Sequence, residues 1–198
     1  MMTEKKSTKI YEAIRADIVN GRIDTRTFLN AGEIAEKYQV SKAPVRDALQ
    51  VLCDQGYLVS YPRKGYMINI FSKEEVNKIQ NVRRRVEAYS VELAIAHASD
   101  DAILSLKPYA DRNFQTGERL YVDSLREESN NLRFHVRLAE IGGNEYLLDI
   151  VKNLAGKITM ANIDTSADFS YHEKIIEALL ERDVKAAVKY LEADLGTL

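Results

Sequence analysis

Four side chains in the second half of the chain have types and spacings that could hold a metal ion. Asn131 and His135 are four residues apart, so on a helix they project from one face. His172 lies one turn before Ile175, Ile176 and Leu179, beside an apolar stripe. Asp194 continues the row Ala187–Leu191, and a carboxylate on an apolar row needs a partner, because burying it unpaired is costly. An Asn, two His and an Asp drawn from three helices could converge inside a bundle, which is how helical proteins build metal sites. The remaining histidine, His97, falls at the end of a long expected helix and reads as a helix-end cation or hydrogen bonder.

A second constellation is suited to nucleic acid. Ser41, Lys42, Ala43 and Arg46 occupy the first turns of an expected helix, where a major-groove helix reads base edges. Lys42 and Arg46 are four apart on one exposed face, and either could bond guanine or phosphate. Arg63, Lys64 and Gly65 form a basic turn that could reach the minor groove or hold phosphates, with Gly65 permitting close approach. For any one of these cations a solvated surface is the simpler reading. For the set, the coincidence of all four basic side chains with a DNA-facing geometry favours binding.

The elements that position these residues follow from the pattern. A first helix starts at Ser7 or Thr8, buries Ile10, Ile14 and Ile18, and ends at Asn20-Gly21. A second starts at Asn30, with Glu33 at capping-box spacing, and breaks at Gln39-Val40. A third starts at Ser41 as cap, with Pro44 in its first turn, a buried stripe of Val45, Ala48, Leu49 and Leu52, and Gly56 as its stop. Strands Tyr57–Tyr61 and Tyr66–Phe71 flank the basic turn. This is the order of a winged helix-turn-helix, assigned to residues 1–71. Ser72 with Glu75 opens a long helix whose inner face is expected to be Val76, Ile79, Val82, Val86, Tyr89 and Leu93. Further helices are expected over about 99–110, 121–141, 145–161, 168–182 and 184–195. The fold expected is therefore mainly α: the winged head, then an all-α antiparallel bundle over residues 72–198.

Composition agrees with that division. The 198-residue chain has a net charge of −2, which alone argues against a nucleic-acid binder. Residues 1–71, however, carry 11 basic and 8 acidic side chains, against 17 and 22 in residues 72–198. A basic front and an acidic back fit DNA binding confined to the front. A single cysteine, Cys53, excludes an intrachain disulfide and suits a reducing cytoplasm. The start of the chain has no signal-peptide core, and no run of about 18 apolar residues suggests a membrane span.

Residues 8–70 resemble the DNA-binding domain of the GntR family of bacterial regulators. The resemblance is carried by the unbroken segment from Ala31 through Leu49, then by Leu52, Gly56, Tyr57-Leu58-Val59 and Arg63-Lys64-Gly65. It implies that Lys42 and Arg46 contact operator DNA and that Gly65 sits at the wing tip. Two positions depart: Gln39 stands where the family usually has Gly, costing roughly 1 kcal/mol if left-handed, and Lys42 stands where Arg is common, losing a bidentate fork. Residues 72–198 look like the FCD domain of one GntR subfamily, through Phe134-His135, Leu138, Gly143-Asn144, Leu147-Leu148, His172, Ile175, Ala178 and Asp183. That resemblance implies a metal held at Asn131, His135, His172 and Asp194. Two of these match the family's Asp and three His; Asn131 replaces the Asp, and Asp194 replaces the third His.

Two imidazoles and a carboxylate suit Zn, Mn, Ni or Fe. A metal there would hold the carboxylate of a small organic acid, and the alternative is a metal-free pocket with His135 bonded to Asp194. The resemblance also implies an arginine directed at an acidic effector. Arg83, with Glu87 four residues on, is the candidate, against a surface Arg–Glu pair; Arg84 and Arg85 read as solvated. The expected function is a cytoplasmic, homodimeric, effector-controlled transcription regulator, in repressor or activator form, on a near-palindromic operator. Two other readings are a DNA-binding protein whose bundle only dimerises, and a metal-dependent enzyme, for which no nucleophile motif is present.

Overall fold

The computed structural model describes residues 2–111, 130–161 and 170–196, with side chains from residue 8 onward. It divides into two compact units, one reaching Phe71 and one starting at Ser72.

In the first unit, α1 (Met2–Val19), α2 (Ala31–Lys37) and α3 (Lys42–Asp54) precede a hairpin of β1 (Leu58–Tyr61) and β2 (Gly65–Ile68). α1 starts at Met2, ahead of the Ser7-Thr8 cap expected, because Glu4, Lys5 and Lys6 are good helix formers and nothing stops propagation through them. Ile10, Ile14 and Ile18 are buried, as are Val45, Ala48, Leu49 and Leu52 of α3, against which α1 packs. Asn30 caps α2 by accepting from Gly32 N (2.7 Å), not from the Glu33 amide that a capping box would use. Ser41 stands at the start of α3 without making a side-chain cap. Pro44 at the third helical position removes one of the two amides that such a cap could use.

Asp17 ties the ends of α1 and α2 together. It lies 2.6 Å from Lys37 Nζ and 3.0 Å from Arg22 Nη1, and accepts from Tyr38 Oη at 2.5 Å. Burial alone would raise its pKa, but Lys37, Tyr38 and Arg22 together hold it below the usual carboxylate value.

Gln39, in the α2–α3 turn, has φ 53°, so a side chain occupies a left-handed position. Gln39→Gly is expected to raise the unfolding free energy by up to about 1 kcal/mol. Chemical denaturation of the two proteins checks it, and a lower stability in the glycine variant would contradict it.

The wing is shorter than expected, with Leu58 opposite Ile68 and Tyr61 opposite Gly65. Arg63 turns it at φ 65°. Gly65 has φ +114°, and a Cβ there would lie 2.5 Å from the Leu29 carbonyl oxygen. Leu29 and Tyr66 exchange backbone hydrogen bonds of 2.7 and 3.1 Å. Gly65 thus permits a close approach to the protein's own Leu29 backbone.

The second unit contains α4 (Lys73–His97), α5 (Asp100–Leu104), a 3-10 turn (Lys107–Ala110), α6 (Asn130–Ile141), α7 (Glu145–Met160), α8 (Ser170–Leu180) and α9 (Val184–Leu195). The helix expected over 99–110 breaks because Pro108 lacks a donor and disfavours helix at Lys107. Residues 121–129 and 168–169 of two expected helices lie outside the described residues. Ser72 and Glu75 form a complete capping box, and Asn144 and Asp183 cap α7 and α9. Val91 and Ala94, Phe134 and Leu138, Ile175 and Leu179, and Ala187 and Leu191 share one core.

The inner face of α4 is not the one expected. Val82 and Tyr89 are 52% and 47% exposed, and Ile79, Val86 and Leu93 are half-buried. The buried row is Val76, Gln80, Arg83, Glu87, Ser90, Val91 and Ala94. Both rows recur at spacings of three and four, so periodicity could not choose between them. The polar row turns inward because its partners are inside the bundle.

Candidate functional site

Polar side chains from four helices meet in this bundle. α6 supplies Asn131 and His135, α8 supplies His172, α9 supplies Asp194, and α4 supplies Arg83 and Glu87. His135 Nε2 is 3.0 Å from Asp194 Oδ2, His172 Nε2 is 3.5 Å from Asp194 Oδ1, and Asn131 Oδ1 is 3.1 Å from His172 Nε2. One ligand atom from each of His135, His172 and Asp194 falls within 4.8 Å of the others. The ring of Phe134 stacks on His172, centroids 3.9 Å apart, and fixes its plane.

Glu87 completes the arrangement and was not singled out as a site residue by sequence. Its Oε2 is 2.6 Å from His135 Nδ1, and its Oε1 accepts from Arg83 Nε. The Glu87 side chain is 0% exposed and the Arg83 side chain 4%. A carboxylate on Nδ1 holds the ring so that Nε2 faces Asp194, the relation that outer carboxylates have to metal-bound histidines. The sequence signal was a polar row at heptad spacing, Gln80-Arg83-Glu87, flanked in register by Val76, Val91 and Ala94.

Burial opposes charge throughout, so each shift records which partner outweighs it. Burial would raise Glu87, but Arg83 and His135 hold it below the usual carboxylate value. Burial would lower His135, yet Glu87 and Asp194 hold it above the ordinary imidazole value. Burial dominates at His172 and pushes it down. Burial would raise Asp194, but His135 and His172 hold it well below its usual value. The Arg83 guanidinium thus faces the Glu87 carboxylate, and the two imidazoles lie against Glu87 and Asp194.

Those close approaches are poorly aligned as hydrogen bonds. Both His135 nitrogens and both Asp194 oxygens are buried without a well-formed hydrogen bond among the described residues. Two imidazoles and a carboxylate with converging, unsatisfied atoms fit a shared cation, and the 3.0 Å approach of His135 to Asp194 fits a metal-free pairing. Asn131 and His172 are joined at the same point. Arg83 is not on the surface, as the simpler reading had it. Arg84, read as solvated, donates to Gly196 O and to Asn81 Oδ1 (2.8 Å), while Arg85 is exposed. His97 ends α4 and is exposed.

In the first unit, Ser41, Lys42, Ala43 and Arg46 all lie exposed at the start of α3, and Ser41 makes no capping bond. Arg63 and Lys64 are exposed at the wing tip, and Gly65 is half-buried. Lys64 Nζ sits 5.9 Å from the centre of the Phe28 ring, which meets Tyr61 edge-on at 5.5 Å. The two aromatic rings support the base of the basic tip.

Comparison with known proteins separates the same two parts. The family described as bacterial regulatory proteins, gntR family, matches residues 6–68, and the FCD domain matches residues 78–197. The chain is 24% identical to the HTH-type transcriptional repressor RspR of Escherichia coli, over 98% of this chain and 87% of that one. It is 28% identical to the Nta operon transcriptional regulator of Aminobacter aminovorans, over 74% of this chain and 69% of that one. Among solved structures, E. coli McbR/YncC shares the fold with a TM-score of 0.79 at 16% identity, covering 96% of this chain and 93% of the other.

Proposed function

The chain belongs to the GntR family of bacterial regulatory proteins and carries an FCD domain, and on that premise we propose that it is an operator-binding repressor controlled by a small organic acid bound within its helical bundle. It is a transcription regulator and not an enzyme, as its family and relatives are. No described helix is long and apolar enough to cross a membrane. Residues 1–71 serve DNA and residues 72–198 serve effector binding and dimerisation. The basic face of α3, with Lys42 and Arg46, enters the major groove, Ser41 donates to phosphate, and Arg63 and Lys64 follow the backbone or minor groove.

The observation that carries the effector half is the convergence of His135, His172 and Asp194, with Asn131 on His172. These residues would hold a divalent ion, Zn, Mn, Ni or Fe, with Glu87 fixing the His135 ring. When bound, such an ion supplies a Lewis-acid position for a carboxylate. Arg83, buried beside it, would balance the acid's charge. Metal analysis of protein purified without added metal or affinity tag tests this. Stoichiometric metal is expected in the wild type and is lost in His135→Ala and His172→Ala. Absence of metal even after supplementation would mean that Asn131 and Asp194 have abolished the site.

Dimerisation is supported by the outward row of α4. Ile79, Val82, Val86, Tyr89 and Leu93 repeat at alternating three- and four-residue spacing, the pattern of a helix–helix seam. α7 also exposes Tyr146 and Ile150, 77% and 47%. Val82→Arg with Tyr89→Arg is expected to convert a dimer to monomer by light scattering, since a desolvated like-charge pair opposes self-association. A dimer unchanged in mass would move the interface elsewhere.

A further inference from the structure

Two side chains on the inner row of α4 hold polar atoms that no described residue satisfies. Gln80 and Arg83 are 2% and 3% exposed and three residues apart, one above the other on the helix. Gln80 Nε2 donates to Leu195 O at 3.3 Å. That bond fixes which way the amide points, because the reverse orientation would set two oxygens against each other. Its Oε1 is left buried without a partner among the described residues. Arg83 commits Nε to Glu87, while its Nη2 is buried and likewise without a partner.

One turn of helix therefore presents a buried acceptor and a buried cationic donor. Folded proteins rarely leave such atoms uncompensated. The pair adjoins the cluster at both ends: Gln80 holds the carbonyl next to Asp194, and Arg83 shares Glu87 with His135.

We infer that Gln80 and Arg83 form a two-point reading site for a small carboxylate bearing a hydroxyl group. The inference rests on the bundle being an effector site. Arg83 Nη2 donates to the carboxylate, and Gln80 Oε1 accepts from the hydroxyl. An unsubstituted acid leaves the Gln80 oxygen unsatisfied. An amino acid could satisfy it, but its ammonium would lie beside the Arg83 guanidinium in a poorly solvated interior, where like charges repel strongly. An apolar ligand satisfies neither atom. Gln80 is thus the residue that sets specificity, and Arg83 the one that sets the requirement for an acid.

Calorimetric titration of the full chain with matched sets of acids tests this: malate, succinate and aspartate, then lactate, propionate and alanine. In at least one set the hydroxy acid is expected to bind roughly tenfold or more tightly than its unsubstituted and amino counterparts. Gln80→Met should reduce that preference to less than about twofold while carboxylate binding persists. Arg83→Met should abolish binding of the whole set. Equal wild-type affinity for hydroxy and unsubstituted acids overturns the inference and leaves the effector reading standing. A preference that survives in Gln80→Met overturns the role of Gln80. No binding by any of the six up to about 10 mM overturns both the inference and the effector reading. The wild-type comparison needs no variant, so a misfolded substitution cannot obscure it.

Discussion

Replacing Glu87 with alanine should lower the unfolding free energy by about 3–5 kcal/mol, the cost of breaking a buried ion pair by removing one partner. Glu87 is wholly buried and faces Arg83 on one oxygen and His135 on the other. Without it, the Arg83 guanidinium is left buried without its carboxylate, and His135 keeps only Asp194. Denaturant unfolding measures the loss, and Glu92→Ala, at an exposed position of the same helix, is the control expected to stay within about 0.5 kcal/mol. Glu87→Gln separates the second role. It keeps the volume and an acceptor but weakens the hold on His135 Nδ1, so metal affinity should fall by roughly 10- to 100-fold, as outer-shell substitutions do. A Glu87→Ala protein as stable as wild type would mean that Arg83 and His135 find other partners. Unchanged metal affinity in Glu87→Gln would mean that Glu87 does not orient the ring.

The second large effect is expected on DNA. Lys42→Ala combined with Arg46→Ala should weaken operator binding by roughly 100-fold or more, since each side chain that bonds a base edge is worth about 1–3 kcal/mol. Both side chains leave the same exposed face of α3 near its start. If both contact bases, discrimination between operator and random DNA falls with affinity. If one contacts phosphate, binding weakens evenly across sequences and the salt dependence becomes shallower by about one counterion. Arg85→Ala, exposed on α4, is the matched loss of charge elsewhere. Gel shifts across a salt series give all three quantities. A double variant that binds the operator as well as wild type would remove α3 from the interface.

Much of this molecule is written locally. The stripe Val45, Ala48, Leu49 and Leu52 is buried as spacing requires, because one helix needs only one apolar face to pack. The caps at Ser72, Asn144 and Asp183 form where their side chains stand, since a cap reaches only two or three residues. Two positive-φ sites, Gln39 and Gly65, sit in turns that the sequence marked, yet what Gly65 avoids is the Leu29 carbonyl, 36 residues away in the chain.

The tertiary structure decided what spacing left open. On α4 the apolar row and the polar row have equivalent periods, and hydrophobicity favoured the wrong one as the inner face. The polar row is buried because Arg83 and Glu87 pair with each other and Glu87 meets His135, itself against Asp194, a set of partners that no single helix contains. For the same reason Glu87 was legible only as a neighbour of Arg83, and not as the partner of His135, which lies 48 residues further on. Sequence determined which side chains each helix could offer. Only the packing of α4, α6, α8 and α9 determined which of them would meet, because that depends on the distances between helices, which no periodicity encodes.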